Sequence, residues 1–127
     1  MPKFTWTIFA LNVGAIIVFL STIPLQLPPM EGLGISEDKL YHSFAYFIFS
    51  TCVSLSFWMD WRNKVTKTFL FWGIFSFGMI LEIIQGCLSY RTFDFFDLIA
   101  NSLGIIAFLI TGKTIKKIVV KSGIFIN

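Results

Sequence analysis

The chain has 127 residues, of which 56% are hydrophobic and 13% charged, with a net charge of +3 and a mean hydropathy of +0.80. That composition excludes an ordinary soluble domain and a disordered segment, and the length leaves room for one domain, 1–127. The basic residues lie beside apolar runs, so anionic lipid heads, and no nucleic acid, are their expected partners.

The predicted fold is all-α, a bundle of four transmembrane helices, because in lipid each backbone polar group needs a partner inside its own segment. The first span is expected at 4–23, interrupted by Asn12 and Gly14. It is longer than the apolar core of a signal peptide and ends in STIPLQLPP rather than a small-residue cleavage site, so it is read as retained. Pro24, Pro28, Pro29, Gly32 and Gly34 predict an irregular connection. The GLG there is no phosphate loop, since neither G-x-x-x-x-G-K-[ST] nor a strand-linked G-x-G-x-x-G occurs.

Ser36 followed by Glu37, Asp38 and Lys39 predicts an N-cap and an acidic first turn, opening a second span at about 39–59. Asp38, His42, Ala45, Phe49 and Cys52 share one face of it. Asp60 to Lys64 reads as a short polar loop, with Trp58 and Trp61 suited to a headgroup belt. The third and fourth spans are expected at about 68–88 and 95–111, and the tail bearing Lys113, Lys116, Lys117 and Lys121 along the interface. Cys52 and Cys87 differ in expected depth by roughly 15–20 Å at 1.5 Å of rise per residue, too far for a disulfide.

Lys3, Arg62, Lys64, Lys67 and the four tail lysines fall on one side of this topology, against Lys39 and Arg91 on the other. The positive-inside rule therefore predicts cytoplasmic N and C termini. The starts of the second and fourth spans and the end of the third then converge on the outer face.

The segment Glu82 to Gly104, EIIQGCLSYRTFDFFDLIANSLG, supplies most of that convergence. Steps of three and four residues put Gly78, Glu82, Gln85 and Ser89 on one stripe and Asp94, Asp97, Asn101 and Gly104 on another. A short turn makes the two helices antiparallel neighbours, so the stripes are expected to meet. Charged groups in a span cost roughly 2.5–3.5 kcal/mol each by insertion scales, so they face a bundle interior and take partners.

Several chemistries fit these residue types. Glu82 and Gln85 suit an interhelical clamp to Asn101 or Asp97, at roughly 0.6–2 kcal/mol per contact. Lys39 and Arg91 suit a phosphate or carboxylate, arginine through its planar fork. His42, one turn beyond Asp38, suits a general base, with Glu82 and Asp97 as further catalytic carboxylates. Gln85, Asp94 and Asn101 join Lys39 and Arg91 as ligand-binding candidates. The carboxylates and His42 are donor types for magnesium, calcium or manganese, yet no compact motif such as H-E-x-x-H is present, so no metal and no cofactor are assigned. A transporter would require four-span units to associate, and nothing in the sequence fixes an oligomeric state.

DKLYHSFAYFIFS at Asp38 to Ser50, together with the Glu82 to Gly104 segment, resembles the VanZ-like family of small bacterial membrane proteins. The matching pattern is D-K-x-x-H with an aromatic-rich run, E-x-x-Q, an arginine, spaced aspartates and N-x-x-G. It falls on Asp38, Lys39, His42, Tyr46, Glu82, Gln85, Arg91, Asp94, Asp97, Asn101 and Gly104. Ser89 stands where a proline often precedes the arginine, and Phe108 where a glycine is common, which leaves the helix packing there open. The resemblance implies a multi-pass protein of the bacterial inner membrane, associated with resistance to the glycopeptide antibiotic teicoplanin. Its expected partners are membrane lipids or a lipid-linked envelope precursor, bound at the outer site or modified there by an enzyme.

Overall fold

The computed structural model describes residues 3–24 and 37–123. It contains four α-helices, α1 (Lys3–Thr22), α2 (Glu37–Ser56), α3 (Lys64–Cys87) and α4 (Phe95–Lys121), and no strand among the described residues. Phe4–Thr22, Lys64–Cys87 and Phe95–Lys121 are long and apolar enough to cross a membrane. The 20-residue α2 carries Glu37, Asp38, Lys39 and His42 in its first turns, so its composition alone does not mark it as a span. The expected Ser36 cap and the connection at 25–36 lie outside the described residues.

Local chemistry explains where the helix ends depart from expectation. The α2 helix stops at Ser56 rather than 59 because Trp58 adopts a left-handed conformation, φ 51°. The Met59 amide then donates to the Ser54 carbonyl at 2.9 Å and the Trp58 amide to Leu55 at 3.2 Å, the paired bonds of a Schellman turn. The α3 helix starts at Lys64 rather than 68 because the Asn63 side chain accepts from the amides of Val65 (2.9 Å) and Thr66 (3.4 Å).

The α4 helix corrects the expected end at 111. It runs on to Lys121, about 40 Å at 1.5 Å per residue, so the basic tail is the same rod and no separate interfacial element forms up to that point. Gly112 does not break it: the Trp61 ring lies where its Cβ would be, so the missing side chain is used for packing. Lysines in the last turns also suit the negative end of the helix dipole.

Core residues come from every helix: Ile17, Tyr46, Ile74, Leu81 and Ile105 form one cluster. The polar residues Ser50, Ser54, Glu82, Gln85, Asp97 and Asn101 are buried as well, whereas Phe4, Leu11, Phe44, Phe69 and Ile110 are exposed. A polar interior inside an apolar exterior is costly in water and ordinary in lipid. Sequence neighbours run antiparallel, which leaves α2 parallel to α4 and α1 parallel to α3. Lys39 meets Asp94 and Asp97 at the starts of α2 and α4, and Gln85 meets Ser21 at the ends of α3 and α1.

The closest crossing is α2 on α4. A Cβ on Gly104 would overlap the Ser43 carbonyl oxygen, so the two backbones touch there. One turn on, Phe108 is 1% exposed and packs edge-on against Trp61 and Phe47, with ring centroids 5.4 and 6.2 Å away. Phe108 thus fills the space between helices, and Gly112 makes the room for Trp61.

Two glycines separate packing from propensity. Gly104→Ala should destabilise the detergent-solubilised protein by about 2 kcal/mol or more, since backbone has to move. Gly73→Ala, with nothing within 4 Å of the added Cβ, should be neutral or stabilising by up to about 1 kcal/mol. Thermal unfolding of both variants checks the pair; equal effects would show that the α2–α4 contact is looser than described.

Candidate functional site

The starts of two parallel helices bring two positive dipole ends side by side, and acidic residues collect there to offset them. Glu37 and Asp38 open α2, Asp94 caps α4 by accepting from the Phe96 amide at 2.8 Å, and Asp97 lies in the first turn of α4. Lys39 reaches between them, donating to Asp94 Oδ2 and to Asp97 Oδ1. Its ammonium, against the opposing effect of burial and with help from the Phe96 amide, holds the Asp94 carboxyl below the usual carboxylate range. Two carboxylates on one ammonium leave Lys39 little capacity to bind an anion by itself.

One turn along α2, His42 is held on both sides. Its Nδ1 lies 3.0 Å from Asn101 Oδ1, so Nδ1 carries the hydrogen and donates. Nε2 then faces Asp97 Oδ2 at 3.6 Å and Asp38 Oδ1 at 3.7 Å. Asn101 is 1% exposed, and its amide nitrogen would lie 3.1 Å from a Cβ on Gly78, so the glycine lets α3 pack closely over that side chain.

Glu82 is also 1% exposed and turns inward, and its Oε2 accepts from the Asp94 backbone amide at 3.4 Å. Among the described residues no cation pairs with it. It therefore supports the α4 cap from α3 and does not reach the surface of the site.

Gln85 and Arg91 spend their hydrogen bonds away from the cluster. A helix end presents four carbonyls without intrahelical donors, and those of α1 are met in trans. Gln85 Nε2 donates to Ser21 O at 2.9 Å, Tyr90 Oη donates to Thr22 O, and Arg91 Nη2 lies 3.3 Å from both Leu20 O and Ile23 O. A cation over the negative end of a helix adds a favourable dipole term. Lys116 does the same for α2, donating to Met59 O at 2.9 Å while its ammonium sits 4.2 Å from the centre of the Trp58 ring.

Six candidates thus share one site: Asp38, Lys39, His42, Asp94, Asp97 and Asn101. Glu82 backs it, and Gln85 and Arg91 tie it to α1. Tyr90 carries no signal in the sequence, because its partner is a main-chain carbonyl 68 residues away. Above the cluster lies a recess of about 400 Å³, lined by Asp38, Ser89, Tyr90, Arg91, Thr92, Asp94 and Asp97. Cys52 and Cys87 are both free, the first buried and the second exposed.

The chain is 32% identical over 105 residues to an uncharacterized protein of the fission yeast Schizosaccharomyces pombe, an overlap of 82% of this chain. It spans 64% of the length of that relative. No protein-family model matches the chain. No solved structure matches it either.

The in-trans cap is open to test because its donors differ in burial. Gln85→Leu, at a position 3% exposed, should cost about 1–3 kcal/mol by stranding the Ser21 carbonyl. Tyr90→Phe, at an exposed position, should cost less than about 1 kcal/mol because water can replace the hydroxyl. Hydrogen exchange should rise at 20–23 in Gln85→Leu; unchanged exchange there would show that α1 is held by its apolar contacts alone.

Proposed function

We propose that this chain is a four-span integral membrane protein whose polar end binds the head of a membrane lipid or a lipid-linked glycan, as its resemblance to the VanZ-like family implies. The observation that carries the reading is the recess at the helix ends. Its volume, about 400 Å³, suits a polar head and is small for an acyl chain. Asp38 and Asp94 are acceptors for hydroxyl or amine groups, and Arg91 has N–H groups beyond the one nitrogen spent on α1 for a phosphate oxygen. The apolar outer faces of the helices would carry the lipid tail.

In this reading both termini are cytoplasmic and the recess faces outward, because Arg62, Lys64, Lys67 and the lysines of α4 gather at the end opposite Lys39 and Arg91. The bacterial inner membrane and the link to teicoplanin resistance rest on the resemblance alone. Similarity to a fission-yeast protein favours a head chemistry shared by bacterial and eukaryotic membranes over one confined to the bacterial envelope.

A second reading, an enzyme acting on such a lipid, is favoured by one observation: Asn101 anchors Nδ1 of His42, which turns Nε2 toward Asp38 and Asp97 beside the recess. There His42 would move a proton, with Asp38 and Asp97 orienting it. Turnover of a bound lipid, abolished in His42→Gln with the lipid still retained, would separate the enzyme from the binder.

Orientation is tested by single cysteines at Arg62 and Thr92 in a background lacking Cys52 and Cys87. In intact cells an impermeant maleimide should label position 92 and spare position 62; the reverse pattern would put the recess in the cytoplasm. Binding is tested by native mass spectrometry from nanodiscs containing phosphatidylcholine, phosphatidylethanolamine, phosphatidylglycerol and a polyprenyl phosphate. The wild type should retain one head class at least tenfold over the others. Thr92→Trp, which fills the recess from an exposed position, should lose that preference with its melting temperature unchanged. Equal retention of every lipid by the wild type would overturn the reading.

A further inference from the structure

The imidazole of His42 poses an electrostatic problem that its neighbours do not resolve. With Nδ1–H given to Asn101, the lone pair of Nε2 points at two carboxylate oxygens, 3.6 and 3.7 Å away. These separations exceed the range of about 2.7–3.2 Å expected for an N–H···O bond. They are close to the edge of a tetrahedron about a cation with bonds of about 2.1 Å, which is about 3.4 Å. One ligand atom from each of Asp38, His42 and Asp97 lies within 4.8 Å of the other two.

Asp97 adds an independent sign. It is 7% exposed, and Lys39 occupies its Oδ1. Among the described residues its Oδ2 takes no hydrogen bond, and it is directed at His42 Nε2. An open carboxylate oxygen on a largely buried side chain, facing an imidazole nitrogen, is placed to meet a cation. Charge points the same way, since the Lys39 ammonium is taken by Asp94 and Asp97, Asp38 has no lysine or arginine partner among the described residues, and Arg91 is turned to the α1 carbonyls.

We propose that Asp38, His42 and Asp97 bind a divalent first-row transition-metal ion between the first turns of α2 and α4. Two carboxylates with one imidazole suit manganese or zinc better than magnesium or calcium, which favour oxygen alone. Asn101 is the positioning residue: it fixes the tautomer and the ring plane of His42, as outer partners of ligating histidines do. Three protein ligands leave coordination positions open, and Asp38 and Asp97 line the recess, so those positions face it. The site itself stands on the side-chain geometry. Its further use, holding a phosphate oxygen of the lipid head, rests on the reading of the recess given above.

The test uses the full chain purified in a non-phosphate detergent, stripped with EDTA and titrated with Mn2+ alone, bound ion being followed by electron paramagnetic resonance. The wild type should bind one Mn2+ per chain, displaceable by Zn2+ and insensitive to millimolar Mg2+. Asp38→Asn, at a half-exposed side chain, should weaken binding at least tenfold, as should His42→Gln. Asn101→Ala should weaken it roughly 10–100-fold while retaining one site. Wild type that is monodisperse and helical yet binds neither Mn2+ nor Zn2+ below millimolar concentration would overturn the proposal and leave a proton shared between His42 and its carboxylates. Undiminished binding in Asp38→Asn and His42→Gln would overturn it as well. Because no lipid is present, failure of the lipid reading leaves this result untouched. A second arm adds polyprenyl phosphate: Mn2+-dependent retention supports the bridging role, and retention independent of Mn2+ removes it.

Discussion

Lys39 between Asp94 and Asp97 is the contact on which the polar end of the molecule depends. It joins the first turn of α2 to the cap and first turn of α4, two parallel helices whose positive ends would otherwise repel. Asp94 serves twice, with one oxygen on the Phe96 amide and the other on Lys39, so helix initiation and helix pairing are one event. Glu82 adds α3 by accepting the Asp94 amide. With that end closed, Gly104 brings the same two backbones together further along, and His42 and Asn101 are held face to face between the two contacts.

The rest of the bundle follows a single rule about helix ends. The last carbonyls of a helix lack intrahelical donors, and at two helix ends here the donors come from elsewhere in the chain. The α1 end receives Gln85, Tyr90 and Arg91, and the turn after α2 receives Lys116. The segment that shapes the recess is therefore also the segment that holds α1, which is otherwise apolar and largely exposed. Binding at the recess and docking of α1 share Tyr90 and Arg91, so a ligand there would bear directly on the position of the first helix.

The candidate site also shows why counting charges is a poor guide to what a site binds. Two cations and four carboxylates near one another suggested an anion site built on lysine and arginine. In the fold the lysine is neutralised by two carboxylates and the arginine gives one nitrogen to main-chain carbonyls, so the unspent groups are Asp38, one oxygen of Asp97, one nitrogen of His42 and the remaining N–H groups of Arg91. Unspent donors and acceptors, rather than formal charges, define the chemistry on offer.

What the sequence by itself determined was the set of helices and the faces that carry polar groups. Apolar runs and helical spacing act over a few residues, and Asp38 with His42, or Asp97 with Asn101, are neighbours by periodicity alone. The joining of those stripes followed from short connections and alternating direction. Only the tertiary structure decided where Gln85 and Arg91 went, because their partners are backbone carbonyls, which every residue has and no side-chain pattern marks. It likewise decided that α4 continues past Gly112, since the compensation is the Trp61 ring, brought there by the turn after α2. The distances that make His42 a ligand candidate belong to the same class: they depend on how closely α2 and α4 approach at Gly104, and that spacing is a property of two packed surfaces rather than of either sequence stretch.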